Sequence, residues 1–449
     1  MAYKTRVRLS EHARRLALEI VAEARAEWGY TSEIIARAFR AHRALPSGDR
    51  RRVSETVYGL IRLHRRIDAV VDEWVAGQRG GAPVLSPQAR DELRLLVYEL
   101  RTEAAPLPAV NTDARRVVGV AVDLASTAAE GAGLGTAAGI EREALRLSHP
   151  TWLMQRLSDQ LGADEAAHLA GSMNQRAPLT IRANTARTTR EALAARLADE
   201  GVQARATVLA PAGLVLETRV NAFGLSAFRD GLFEVMDEGS QLVAEVVAPP
   251  PAGKVVDACA GAGGKTLALG AVMGGKGRLL ALDVDGRKLE ELRRRARRAG
   301  LTNVTARQVG GDGGALPAEA RPGGWDRVLV DAPCSGLGTL RRNPEARWRL
   351  TPDVVDAFPA RQVALLITYA PLCAVGGRLI YATCTPLADE NDRVVDRFCA
   401  ERDDFVRVPL KEIWGRELAA KVGDDHVLRI FPHTHDTDAF YAAVLRRIR

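Results

Sequence analysis

Cysteine is scarce: the 449-residue chain has five, an odd number, and none in a C-x-x-C pair. That excludes a disulfide framework and a zinc ribbon alike. Long apolar runs are missing too. No stretch of about 18 uncharged apolar residues occurs, so no membrane span is expected. The opening MAYKTRVRLSEHARR has no apolar core of the kind a secretory signal carries. Apolar residues make up 47% and charged residues 27%, a globular balance that excludes wholesale disorder. The expectation is a cytoplasmic, monomeric chain with free thiols, and free thiols raise the question of whether one reacts.

What is present is length and a mild positive charge. At roughly 100–200 residues per domain the chain has room for two or three. Lys plus Arg number 63 against 56 Asp plus Glu, a net of +7, which permits a polyanionic partner without proving one.

The texture changes twice along the chain. Residues 1–147 read as all-helical. Apolar side chains recur at three- and four-residue spacing from Leu9 to Ala26 and from Arg50 to Trp74, with further helices expected over Gln88–Leu100 and Ala109–Ala129. Residues 148–248 alternate helical segments (Thr151–Leu161, Asp164–Met173, Arg190–Glu200) with β-rich ones (Leu179–Asn184, Val202–Val208, Leu214–Thr218), a small α+β unit. Pro249–Pro250–Pro251 is a stiff entry to the third unit, residues 249–449. There strands (Lys254–Ala258, Arg278–Val284, Asn303–Val309, Asp326–Asp331, Arg378–Thr383) alternate with helices (Lys265–Met273, Arg287–Ala299, Pro352–Ala374). This is the pattern of a parallel sheet covered on both faces. Val427–Phe431 and Phe440–Leu445 read as an antiparallel pair closing it. Ligands of such sheets bind beyond the carboxyl ends of the strands, and every notable motif falls at such an end.

The first strand runs into Asp257-Ala-Cys259-Ala260-Gly261-Ala262-Gly263-Gly264-Lys265-Thr266. Glycines between a strand and a helix let the backbone approach a ligand, with helix N–H groups facing it. A P-loop would need glycine where Cys259 stands, and the dinucleotide fingerprint fails at Thr266. The remaining candidate is the S-adenosylmethionine loop of a methyltransferase, with Asp283 at the end of the second strand positioned for the ribose hydroxyls. A tight turn that holds nothing stays open. Asp312, after the third strand, suits an adenine amino group or is a loop residue. Asp331 opens Asp331-Ala-Pro-Cys334-Ser-Gly-Leu-Gly, where a planar base could dock. On the strand Val328-Leu-Val it also resembles a Walker-B acid, which keeps a nucleotide hydrolase as a rival.

The fifth strand ends at Thr383-Cys384-Thr385-Pro386. A buried, inert cysteine is the ordinary default. Two at the carboxyl ends of two parallel strands, each beside a proline turn, argue against it. Arg287 to Arg298 holds seven basic residues against Glu290 and Glu291, a phosphate-binding face or a solvated one. His433-Thr-His435-Asp-Thr-Asp438 alternates as metal ligands do, but without a cysteine or further histidine nearby no metal is expected.

Taken together, CAGAGGKT, DAPCSGLGTLRRNPEARW and YATCTPLADEND resemble the RsmB/Nop2/Sun family of RNA cytosine-5 methyltransferases. NQRAPLTIRANT, FEVMDEGSQLVA and RIFPHTHDTDAFYAAVLRR are similar to it as well. DRRRVSETVYGLIRLHRRID resembles the NusB-like domain carried by the bacterial rRNA branch. The resemblance implies a multidomain chain: an all-α NusB-like RNA-binding start, an RRM-like α+β subdomain, and a Rossmann-like class I methyltransferase domain. It implies S-adenosylmethionine as donor, held by Cys259, Ala260, Gly261, Ala262, Gly263, Gly264, Lys265, Asp283, Asp312 and Asp331. It makes Cys384 the nucleophile and gives Cys334 a part in product release. Two departures stand out: Ala262 where the family has proline, and Ala439 where it has glycine.

The chemistry matches these groups. Cytosine carbon 5 becomes nucleophilic only after a thiolate adds at carbon 6. Lys265 is a cation that could favour the thiolate, and Asp331 could bond the exocyclic amine. The target base must be unstacked or single-stranded. Arg182, Asn184, Arg341, Arg342 and the basic helix could hold RNA phosphates, with affinity that falls as salt rises. The expected reaction is methylation of a cytosine in RNA, above all 16S rRNA. Other readings are the same chemistry on tRNA, a P-loop-like nucleotide hydrolase, and a non-catalytic RNA-binding assembly factor.

Overall fold

A computed structural model describes residues 8–78, 85–119, 123–311, 314–424 and 426–449. The chain packs as two compact units: Met1–Gln175 with Leu340–Thr351, and Arg176–Thr339 with Pro352–Arg449.

The first unit is helical. Its longer helices are Glu11–Glu27, Thr31–Ala41, Ser47–Arg62, His64–Ala76, Pro87–Thr102 and Leu107–Val118. The spacing of Leu16, Ile20, Val53, Val57, Leu93 and Leu96 turns each apolar stripe into one shared core. The periodicity from Arg50 to Trp74 predicts one helix, but two form. The chain leaves helical geometry at Leu63, with φ −98° and ψ 15°. Next to that break the Ile61 carbonyl accepts a hydrogen bond from Trp348 Nε1 at 2.8 Å, and such insertions bend helices. The helix expected over Ala109–Ala129 ends at Val118. The following residue is Gly119, with φ of 80°, a left-handed cap that glycine adopts without strain.

Packing groups the chain differently from the sequence-based boundaries at 147 and 248. Ala144, Leu147, Met154 and Ala170 share a small core, so helices Thr151–Leu161 and Ala163–Ser172 fall in the first unit. Arg347 belongs to the returning segment Leu340–Thr351 and is 0% exposed. Its guanidinium donates to Ser148 O (3.0 Å), Asn174 Oδ1 (2.7 Å) and Met173 O (3.3 Å). Its Nη1 also meets the buried His149 Nδ1 at 3.5 Å. A buried cation held chiefly by carbonyl and amide oxygens is a structural bolt, because removing it would leave those acceptors unsatisfied.

The second unit contains two sheets. The small one is built from β1 (Thr180–Ala183), β2 (Ala204–Ala206), β3 (Gly213–Leu216) and β4 (Phe233–Val235), in the order β2-β3-β1-β4. All its pairings are antiparallel. Helices Arg190–Asp199 and Ser226–Arg229 complete a βαββαβ arrangement. Strand β4 does not stand out in the sequence, because its three residues are too few to show alternation.

The large sheet holds β5 (Lys254–Asp257), β6 (Arg278–Asp283), β7 (Val304–Gln308), β8 (Trp325–Asp331), β9 (Cys373–Thr383), β10 (Phe405–Arg407), β11 (Val427–Ile430) and β12 (Phe440–Arg447). The order is β10-β12-β9-β8-β5-β6-β7, with β11 also on β12. Strands β5 to β9 pair in parallel, and β12 runs antiparallel to β9. Helix Glu238–Val247 joins the two sheets. Its Leu242, Val243 and Val246 pack with Val255, Leu329 and Ile380, while Gln241 Nε2 donates to Ile181 O of β1. The sheet order reverses between β5 and β8, which in open α/β sheets creates a crevice beyond their carboxyl ends.

Candidate active site

Of the groups predicted at the carboxyl ends of the large sheet, the structure brings Cys334 to Cys384 and Lys265 to Asp331. Cys334 follows β8 and Cys384 follows β9, and because these strands pair in register, Asp331 against Ala382, the two turns lie side by side. Cys334 Sγ and Cys384 Sγ are 3.5 Å apart, and the Cys384 N–H donates to Cys334 Sγ at 3.4 Å. Both residues are half-buried. The hydrogen bond to Cys384, followed by burial and the charges of Cys384 and Glu390, pushes the Cys334 thiol well above its ordinary value. Either sulfur can donate in the contact between them.

Lys265 lies in the helix Gly264–Val272, whose start the glycine loop makes possible. Gly263 has φ of 89°, and a Cβ there would come within 2.6 Å of Leu292 and 2.7 Å of Leu267. Only glycine fits that bend. The Lys265 ammonium donates to Asp331 Oδ2 at 2.6 Å and sits 5.3 Å from the centre of the Phe440 ring. Burial alone would lower its pKa. Asp331, Cys384 and Asp257 more than offset that and hold it above the ordinary lysine value. The ammonium is thus a cation fixed by Asp331 within electrostatic reach of Cys384.

Beneath the loop, Asp257 is fully buried. Its Oδ2 accepts from Thr266 Oγ1 at 2.7 Å, while Oδ1 has no partner among the described residues. Burial pushes this carboxyl up to about 7. Asp283 accepts from the Gly261 N–H through Oδ2 and from the Asp285 N–H through Oδ1, both at 2.8 Å. Several loop groups are thus spent internally. Gly263 N–H donates to Ala260 O, and Ala262 O accepts from Arg295 Nη1 at 2.7 Å.

A cavity of about 490 Å³ opens beside the loop, lined among others by Cys259, Asp283, Val284, Val309, Pro333 and Leu365. A carboxylate at one edge and aliphatic walls elsewhere suit a nucleoside: hydroxyls toward Asp283 and a flat base between Val284, Val309 and Leu365. Of the residues expected to hold the cofactor, Cys259 and Asp283 line the cavity. Ala260, Gly261, Ala262, Gly263, Gly264, Lys265 and Asp331 are not among its lining residues. Neither sulfur is, although Pro333, next to Cys334 in the chain, is. Asp312 lies outside the described residues.

The expected phosphate contacts need correcting. Arg182 and Asn184 are buried. The Asn184 side-chain amide donates to Gly231 O and Ala299 O, both at 2.8 Å, and Arg182 Nη1 donates to Ala183 O. Arg341 is buried in the first unit and Arg342 is half-buried. Arg182 and Asn184, expected to hold RNA phosphates, are instead tied to backbone in the interior. The basic run is also partly consumed. Arg295 and Arg298 pair with Glu234, Arg293 donates to Ala306 O, and Arg287, Lys288, Arg294 and Arg297 are exposed. His435 is tied to the backbone at Phe431 N and Lys421 O.

Comparison with known proteins decides the family. Residues 244–446 match the model for the 16S rRNA methyltransferase RsmB/F, and residues 149–222 match the RsmF/B-like ferredoxin-like domain. A Synechocystis sp. protein described as "Probable ribosomal RNA small subunit methyltransferase B" is 33% identical over 97% of this chain and 99% of its own. The chain belongs to the RsmB/F family of 16S rRNA methyltransferases. Another RsmB/F relative, the ribosomal RNA small subunit methyltransferase B of Pseudomonas putida, is 31% identical over 69% of each chain. The crystal structure of PH0851 superposes with a TM-score of 0.77 at 26% identity, covering 98% of this chain and all of that one. The ferredoxin-like match covers β1 to β3 of the small sheet, and the methyltransferase match covers the large sheet to within a residue of its end, with β4 between the two.

Sequence reasoning missed one cluster in this RsmB/F site. Glu390 is fully buried and accepts from Ser335 N–H (2.8 Å), Ser335 Oγ (2.5 Å) and Gln362 Nε2 (3.1 Å). Ser335 Oγ also bonds Thr385 Oγ1 at 3.0 Å. Asn391 accepts from Thr383 Oγ1 and donates to Thr385 O. Its only signal in the sequence is position, a Glu-Asn pair shortly after the cysteine turn. Gly338 was missed as well. Its N–H donates to Cys384 O at 2.9 Å and its carbonyl accepts from Ala439 N–H at 3.0 Å. A Cβ there would stand 2.4 Å from Ala439 O and 2.7 Å from Cys384 O.

Proposed function

We propose that the protein methylates carbon 5 of a cytosine in 16S rRNA, using S-adenosylmethionine and a transient bond between Cys384 and carbon 6 of the base. The observation that carries this reading is the pair of facing thiols at 3.5 Å, beside a lysine–aspartate pair at 2.6 Å. A methyltransferase that used only the lone pair of an oxygen or nitrogen would need no such pair.

Each group has a defined task. An ordinary thiol is only a few per cent thiolate at pH 7, and the Lys265 ammonium lies within electrostatic reach of Cys384. The Cys384 sulfur adds to carbon 6, which makes carbon 5 electron-rich. Asp331, fixed by Lys265, accepts a hydrogen bond from the exocyclic amine as charge develops. S-adenosylmethionine supplies an electrophilic methyl group, and Asp283 and the aliphatic cavity walls would hold its nucleoside part. Carbon 5 then loses its proton to solvent. That electron pair forms the carbon 5–carbon 6 double bond, and the carbon–sulfur bond breaks onto Cys384. The Cys334 S–H donates a hydrogen bond to the departing sulfur and stabilises the thiolate as it leaves.

The helical first unit, by its resemblance to NusB-like domains, would contribute RNA binding. Labelled methyl donor incubated with 16S rRNA, as naked transcript and as small-subunit particles, tests the reading with bisulfite mapping. The expected result is one 5-methylcytosine with the wild type and none with Cys384→Ala. Label at another atom, or full activity in Cys384→Ala, overturns it.

A further inference from the structure

Cys334 and Cys384 carry the same functional group, yet the proposed reaction requires one to attack and the other to keep its proton. We infer that Glu390 is the positioning residue that separates these roles, gripping the Cys334 turn and placing its negative charge on that side of the sulfur pair. The inference rests on the two-thiol reading and extends it to a residue outside the reacting atoms.

Geometry carries the argument. Glu390 receives both the N–H and the O–H of Ser335, the residue after Cys334. Ser335 Oγ in turn bonds Thr385, the residue after Cys384. Gln362, from the helix Phe358–Tyr369, closes the third side and bridges to the Pro333 carbonyl at 3.1 Å. Tyr381 of β9 donates its hydroxyl to the Glu390 carbonyl at 2.6 Å. The carboxylate thus sits inside a cage of donors that reaches the residue before and the residue after Cys334, but touches the Cys384 turn only through Thr385. Asn391 secures the Cys384 turn separately, through Thr383 and Thr385.

Several other charged or titratable groups surround this cluster. Cys384 and Tyr381 face Cys334. Burial keeps the Tyr381 phenol protonated. Lys265 and Asp331 pair on the Cys384 side. Asp389 and Asp392, on the same segment as Glu390, pair with Arg393 and Arg429. Arg361 precedes Gln362 on the helix Phe358–Tyr369. Burial pushes the Glu390 carboxyl above its ordinary value, opposed by the hydrogen bonds of Ser335, Gln362 and Thr385. In its ionised form Glu390 opposes ionisation of the Cys334 thiol, as expected for a like charge held in a poorly solvated place.

Glu390→Gln keeps the shape and an acceptor oxygen, and its new amide can face Ser335 Oγ, which is able to accept. Two rates are measured across pH with purified protein and an rRNA fragment: formation of the protein–RNA adduct, and its release. The adduct is read on denaturing gels. With the charge gone, Cys334 ionises at lower pH. The alkaline fall in release should then move down by about one pH unit, while adduct formation stays within about twofold of wild type. Glu390→Asp, which keeps the charge, should restore the wild-type profile in part. Cys334→Ala in the same assay should trap the adduct. An adduct there together with a Glu390→Gln release profile that overlays the wild type overturns this inference alone. No adduct in Cys334→Ala overturns the two-thiol reading, and the inference with it.

Discussion

Two groups of polar side chains in the second unit, one beside each sheet, serve opposite ends. In the small antiparallel sheet, Arg182 and Asn184 spend their donors on backbone carbonyls: Ala183 O, Gly231 O and Ala299 O. At the carboxyl rim of the large sheet, half-buried and buried polar groups bond to other side chains. Lys265 meets Asp331, Cys334 meets Cys384, and Glu390 meets Ser335 and Gln362. A carbonyl partner cannot change its charge, so such a bond can only hold the fold. A carboxylate, thiol or ammonium partner can change its own, so the bond also sets reactivity. The nature of the partner, more than burial itself, separates a strut from a site.

That distinction can be broken by experiment. The largest effect is expected at the rim. Lys265→Met should lower kcat/KM for methyl transfer by about 10²–10³-fold, as loss of one preorganised charge does, with the thermal midpoint shifted by only a few degrees. Wild-type rates would erase the contrast. In the small sheet the sign reverses. Asn184→Ala should cost about 2–3 kcal/mol of stability by leaving two carbonyls unbonded, seen as a lower denaturant midpoint, while the folded enzyme keeps its rate and its salt dependence of RNA binding.

Asp257 straddles the two classes, and its pH dependence sharpens the comparison. Its folded-state value of about 7 lies above the ordinary 3.8. Its contribution is therefore most favourable below about pH 4 and is lost as pH rises through 7, because the unfolded chain ionises first. Asp257→Asn removes that loss, so the stability of the variant relative to wild type should rise by about 2 kcal/mol between pH 5 and pH 7. A flat difference would mean the carboxyl is ionised at ordinary cost. The smallest effect belongs to an exposed cation. Arg297→Ala should change stability by less than about 0.5 kcal/mol and reduce the salt slope of RNA binding by about one. An unchanged slope would assign that face to solvent.

Much of this was legible in the chain. The large sheet was written in its alternation of apolar strands and amphipathic helices, and β5, β6, β8 and β9 fall within a residue or so of expectation at their carboxyl ends. The amino end of β9 reaches back to Cys373, five residues earlier than expected, because Gly376 and Gly377 disguise an extended run. The cysteine turns were legible because proline and a strand end fix where a side chain must emerge. Arg182 and Asn184 misled for a physical reason: a polar residue in a four-residue strand, or just past its end, carries no mark of which side will be covered. Glu390 was hidden by its company, since the run Asp389 to Asp392 reads as solvated charge. Only the fold reveals that one carboxylate in it points inward.

The contact at Gly338 has a practical consequence. Its backbone is wedged against the carbonyls of Cys384 and Ala439, so the loop after one thiol is stitched to the loop after the other at a point where no side chain fits. A library randomised at that codon should return glycine almost alone. Redesigning the base pocket by loop grafting will succeed only when both thiol loops are exchanged as one cassette.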